Sequence, residues 1–181
     1  MNTLFSHVCV VTMDDRMSVW TDAFVGVTDG KISYLSKHAP EEKPDQIIDA
    51  TGMVLMPGLI NCHTHLPMQL LRGYADDLKL QEWLNDYIFP REDRLDGRCV
   101  RAATTLAVAE CLKFGVTSVS DMYYFCDDIC DVIAKSGMKA NISRGTSMFL
   151  GDDFDFEKFP ACQELVALKE KWHNYDGGRI K

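Results

Sequence analysis

Apolar and polar positions change rhythm at Pro57. Before it, short apolar runs alternate with turn residues. Val8-Cys9-Val10-Val11 predicts one strand. Phe24-Val25-Gly26-Val27 and Lys31-Ile32-Ser33-Tyr34-Leu35 flank Asp29-Gly30, a strong hairpin signal. Residues 36–46, with Pro40, Pro44 and several charges, predict a loop. Ile47-Ile48-Asp49 and Met53-Val54-Leu55-Met56 flank a second turn at Thr51-Gly52. These runs predict a β-rich segment over residues 1–56, a small antiparallel sheet or sandwich with no chemistry of its own. His7 and His38 fall within it as ordinary side chains.

After Pro57 the pattern becomes strand, helix, strand, helix. Leu59 to His65 is an apolar run closed by Pro67, which has no N–H to extend a ladder, and it predicts a buried strand. A long connection over 66–96 follows, with helical spacing from Leu80 to Ile88. The periodicity then predicts a helix over 98–113 stopped by Gly115, a strand over 116–121, and a helix over 127–135 stopped by Gly137. A third strand over 139–145 and a helix over 156–174 come next. Arg179-Ile180-Lys181 would begin a fourth strand. This order argues for parallel β/α units.

The chemistry enters at the end of the first of these strands. Side chains alternate faces along a strand, so His63 and His65 point the same way and Thr64 the other. Two imidazoles side by side can hold one divalent metal. The other strand ends offer Asp121, an acceptor or neighbour of such a site, and Arg144. His173, near a helix end, makes a poor third ligand. Cys126 and Cys130 lie one helical turn apart, but no second cysteine pair accompanies them.

Composition narrows the partners. The chain has 181 residues, 46% of them hydrophobic, and a net charge of −8. Without a basic run, nucleic acid is not an expected partner. No stretch approaches the roughly 18 apolar residues of a membrane span, and the N-terminus lacks the charged and apolar regions of a secretory signal. Seven scattered cysteines suit reduced, mostly buried thiols and a cytoplasmic location. A closed (β/α)8 barrel takes roughly 250 residues, and only about 125 follow Pro57. The expectation is therefore an α/β fold: about three units of a truncated TIM-type barrel over 57–181, preceded by the β-rich segment.

With its flanks, Asp49-x-x-Gly52-x-x-x-x-Pro57-Gly58-Leu59-Ile60-Asn61-x-His63-x-His65 resembles the amidohydrolase superfamily. Pro67-Met68-x-Leu70-Leu71-Arg72-Gly73, Asp76-Asp77-Leu78, Glu82-Trp83-Leu84, Pro90-x-Glu92, Asp121-Met122-Tyr123 and Ser143-Arg144-Gly145 resemble methylthioadenosine/S-adenosylhomocysteine deaminases and related aminohydrolases. The resemblance implies a metal-dependent hydrolase that deaminates an aminopurine nucleoside. His63 and His65 would be the first two ligands of zinc, with iron or nickel as alternatives. Glu92 would accept from the ribose hydroxyls. Trp83 would wall the base or sugar, and Arg144 would face the thioether or amino-acid end. The family's remaining metal ligands and proton-transfer residues have no counterpart here, so no catalytic residue is assigned. Nor is there a counterpart to its second arginine after the third strand, where residues 151–155 read Gly-Asp-Asp-Phe-Asp. A chain inactive alone is expected, acting on a small molecule, and either self-associating or completed by a separate C-terminal half. The alternatives are a non-catalytic remnant or binding module of the same fold, or a chlorohydrolase or other ring-amine aminohydrolase.

Overall fold

A computed structural model describes residues 1–146 and 153–181. The chain divides into two compact units, Met1–Pro57 and Gly58–Lys181.

The first unit is one five-stranded sheet. β1 (Thr3–Val11) pairs antiparallel with β2 (Val19–Thr28), and β2 pairs antiparallel with β3 (Lys31–Ser36). Asp29 and Gly30 join β2 to β3 with φ of 50° and 73°, as a two-residue hairpin turn with both central residues left-handed requires. The expected all-antiparallel pairing is wrong for the last two strands. β4 (Gln46–Asp49) and β5 (Val54–Leu55) both run parallel to β1, at successive positions along it. The Thr51-Gly52 turn therefore does not reverse the chain. The Asp49 carboxylate accepts from the Thr51 N–H and hydroxyl at 3.0 and 2.6 Å, which makes a local loop, and the strand then resumes its course. Val8, Val10, Ala23, Val25 and Ala50 form this unit's core.

In the second unit β6 (Leu59–Thr64), β7 (Val116–Tyr123) and β8 (Lys139–Arg144) form a parallel sheet in that order. Arg179 to Lys181 lie beside β8. The Ala140 and Ile142 N–H groups donate to Arg179 and Lys181 carbonyls at 3.0 and 2.8 Å, as a fourth parallel strand would require. Gly58 brings the chain into β6 against β7. A Cβ there would stand 2.1 Å from Thr117 Oγ1, so only glycine fits.

The connection after β6 begins with a 3-10 helix, Leu66–Leu71. A helical stretch then runs through α1 (Leu80–Glu82), a π-helical segment (Trp83–Ile88) and α2 (Phe89–Glu92). It continues past the expected end at Ile88. Pro90 has no N–H to close an α turn, and the chain is wound wide ahead of it. α3 (Gly97–Lys113) is capped by Asp96, whose side chain accepts from the Cys99 N–H at 2.7 Å. α4 (Cys126–Ser136) ends at left-handed Gly137. α5 (Pro160–Trp172) starts four residues later than the periodicity suggests, because proline belongs at the first position of a helix.

These helices pack on the sheet through Val100, Val119, Ile129, Ile133, Met138 and Ile180, each at most 2% exposed. Each large aliphatic side chain so buried contributes about 1.5–3 kcal/mol. β6 departs from expectation. Leu59 through His63 are all exposed, not buried. Among the described residues the strand pairs on one edge only, with β7, and most of its side chains meet solvent.

Candidate metal and substrate site

His63 and His65 converge. Their Nε2 atoms lie 3.2 Å apart with the rings nearly perpendicular, at 86°. His65 Nδ1 lies 2.7 Å from the Met122 carbonyl oxygen. A carbonyl only accepts, so Nδ1 carries the proton and Nε2 of the neutral ring presents its lone pair. That is the ligand tautomer, with its outer nitrogen held as metal-bound histidines are held. Bare nitrogens this close repel unless a proton or a cation lies between them. Two nitrogens on one tetrahedral zinc, each at about 2.0–2.1 Å, stand about 3.3 Å apart. The observed separation fits a shared ion. Among the described residues no group of three His, Cys, Asp or Glu side chains could complete such a site.

β7 supplies the support. Asp121 is 1% exposed, and its Oδ1 accepts from both the Thr64 hydroxyl and the Leu66 N–H, each at 2.7 Å. Its Oδ2 is buried without a partner among the described residues. Burial pushes this carboxyl above the usual range, partly offset by the Leu66 N–H and the Thr64 hydroxyl. Asp121 is thus a structural acceptor here. Behind the 3-10 helix, Arg72 and Gln69 both donate to Glu110 of α3. The Arg72 guanidinium holds Glu110 below its ordinary value.

A cleft of about 540 Å³ brings together His65, Trp83, Glu92, Tyr123 and Arg144. All the residues expected to touch substrate thus line one cavity with the second histidine. Trp83 is half-buried at the start of the π-helical segment. Glu92, also half-buried, accepts from the Tyr123 hydroxyl at 2.6 Å. Burial first, and then this bond, pushes the Tyr123 phenol well above its ordinary value. Arg144 lies over the Tyr124 ring, 4.7 Å from its centre, and donates from Nε to Glu164 at 2.5 Å. It is therefore an ion-pair member as well as part of the wall. Gly151 and Asp152, where the sequence lacks a second arginine, lie outside the described residues.

Other residues resolve simply. His173 is exposed at the end of α5. All seven cysteines are free; Cys126, Cys130 and Cys162 are buried, and Cys62 is exposed. Burial pushes Cys126 up to about 11 and Cys130 up to about 12, so both are thiols at neutral pH. Sequence reasoning quoted Tyr123 in the Asp121-Met122-Tyr123 motif but gave it no role in the site. The signal was there: Asp121 and Tyr123 stand two apart on one strand and share its inner face.

Residues 54–181 match the amidohydrolase family. The chain is 38% identical over 179 residues to a 5'-deoxyadenosine deaminase of Methanosarcina acetivorans, covering 98% of this chain and 40% of that protein. It is 35% identical to a 5-methylthioadenosine/S-adenosylhomocysteine deaminase of Acetivibrio thermocellus, covering 100% of this chain and 42% of that one. Its fold superposes on a zinc-bound adenosine deaminase from Xanthomonas campestris with a TM-score of 0.83 at 30% identity, over 99% of this chain and 41% of the other. The chain thus spans about 40% of the length of the curated relatives it matches.

Proposed function

This chain belongs to the amidohydrolase family, and we propose that it carries the first part of the metal cradle and the substrate wall of a hydrolytic deaminase. The substrate class is an aminopurine nucleoside of the methylthioadenosine or S-adenosylhomocysteine type. The observation that carries this reading is the meeting of His63 and His65 Nε2 at 3.2 Å, with His65 fixed in the ligand tautomer by Met122.

His63 and His65 hold a divalent metal, zinc by the donor set and by likeness to a zinc-bound deaminase, with iron or nickel as chemical alternatives. When bound, such a metal supplies Lewis-acid activation of water near neutral pH. The chain's own residues bind and orient. Glu92, steadied by Tyr123, accepts hydrogen bonds from ribose hydroxyls. Trp83 gives an apolar wall beside the base or sugar. Arg144 meets the far end of the substrate and exchanges its bond with Glu164 to do so. No proton-transfer residue is assigned in this chain. The partner is a small molecule. No helix among the described residues is long and apolar enough to cross a membrane. With seven free thiols, we place the protein in the cytoplasm.

A chimera tests this. The chain replaces the aligned segment of the Methanosarcina acetivorans deaminase, and ammonia release from 5'-deoxyadenosine and methylthioadenosine is followed. Turnover that His63→Ala abolishes supports the reading. A folded, zinc-loaded chimera without turnover favours the alternative, a non-catalytic remnant.

A further inference from the structure

We propose that Asp121 is the positioning residue that aims the His63/His65 pair, acting through the residues on either side of His65. The proposal rests on the metal-cradle reading but concerns a different residue and a different contact.

The backbone ladder alone does not fix the two imidazoles. β6 and β7 slip once between Leu59 and Ile60, pair Ile60 and Asn61 with Ser118 and Val119, and slip again before the next pair, Thr64 opposite Asp121. Three steps on β6 match two on β7, so the strand bulges at Cys62 and His63. A bulge re-aims side chains and removes ladder bonds where the histidines must be held. Side chains replace them. Asp121 Oδ1 accepts from the Thr64 hydroxyl before His65 and from the Leu66 N–H after it. The next residue on β7, Met122, takes the His65 Nδ1–H. Leu66 also opens the 3-10 helix, and Pro67 has no N–H, so the carboxylate fixes the exit of the chain as well. His65 is pinned at its ring and at both neighbours, all by two consecutive residues of β7.

The chemical form of the grip matters. One oxygen does all the accepting, and the other is buried with no partner among the described residues. An acceptor at Oδ1 is required; a second oxygen is not. Asparagine can supply that acceptor and alanine cannot. Thr64→Val removes one of the two donors while leaving Asp121 in place.

The test uses the full 181-residue chain, reduced, with Zn²⁺ alone as ligand. Zinc affinity is measured by chelator competition, and imidazole tautomers by long-range ¹H–¹⁵N spectra without metal. Asp121→Ala is expected to weaken zinc binding about 10-fold, the lower end of the cost of losing a direct partner of a metal ligand, because Asp121 acts one residue away from His65, with Asp121→Asn staying within about threefold of the parent. The His65 Nδ1–H signature persists in the parent and in Asp121→Asn and gives way to a tautomer mixture in Asp121→Ala. A merely structural role would not separate Asn from Ala in that spectrum. If Asp121→Ala fails to fold, Thr64→Val decides, and it is expected to lower zinc affinity severalfold with the same spectral mixing. Unchanged affinity and an unchanged His65 signature in the folded variants overturn the proposal. Absence of zinc binding by the parent chain would instead count against the metal cradle, and the tautomer spectra would still decide the role of Asp121.

Discussion

Replacing Tyr123 by phenylalanine isolates one atom that organises the cleft. The ring stays packed, since the side chain is 4% exposed, and only the hydroxyl that donates to Glu92 at 2.6 Å is lost. A hydrogen bond to a charged group contributes about 1.5–3 kcal/mol. Glu92 is half-buried, so water can replace part of what the phenol gave, and the buried hydroxyl no longer has to be desolvated. Both effects pull the net loss down to about 1–2 kcal/mol. With a urea slope of about 2 kcal/mol/M, the unfolding midpoint falls by about 0.5–1 M. Glu92→Gln keeps an acceptor and removes the charge, so it should cost less. In the double variant the two losses should overlap by about 1 kcal/mol, because both changes act on one bond. The assay is urea unfolding of the parent, both single variants and the double variant at pH 7. Strictly additive losses, or a midpoint unmoved by Tyr123→Phe, would refute the claim that this bond holds Glu92 in place.

Two further outcomes follow from the same core. Cys126, Cys130 and Tyr123 all have folded-state values raised above their unfolded ones, so each stabilises the fold in its protonated form. That contribution is complete below about pH 9 and is lost as pH climbs through about 9 to 12. Urea midpoints under reducing conditions should be level from pH 7 to about 9 and fall steadily above it; a fall beginning below pH 8 would contradict the assignment. Ile133→Ala empties a fully buried position in the larger core and should cost about 2–5 kcal/mol by the same measurement, whereas a loss under about 1 kcal/mol would mean the helix packs elsewhere.

Local rules carried much of the fold. Asp29-Gly30, Gly115 and Gly137 marked turns and helix ends because their conformations are decided within a few residues. Parallel pairing of β6, β7 and β8 followed from the alternation of strands and helices. The pairing of β4 and β5 was not legible. A loop at Thr51-Gly52 looks the same in sequence whether it reverses a strand or interrupts one, and only contact with β1 decides. The exposure of β6 was hidden for a related reason, since its apolar residues say what the strand would bury but not what covers it. In the site, the facing of His63 and His65 came from strand alternation, and the positions of Trp83, Glu92 and Arg144 from family likeness. The grip of Asp121 on Thr64 and Leu66 is a contact across 55–57 residues of sequence, created by a bulge that no periodicity announces.

The central claim is that two imidazoles at the end of β6 share one metal ion. Zinc K-edge X-ray absorption on the reduced chain, loaded with one equivalent of zinc, addresses it directly. The account predicts two imidazole nitrogens at about 2.0–2.1 Å, completed by oxygen, with the imidazole scattering gone in a variant lacking both His63 and His65. Sulfur scattering at about 2.3 Å, or imidazole scattering that survives in that variant, would contradict it.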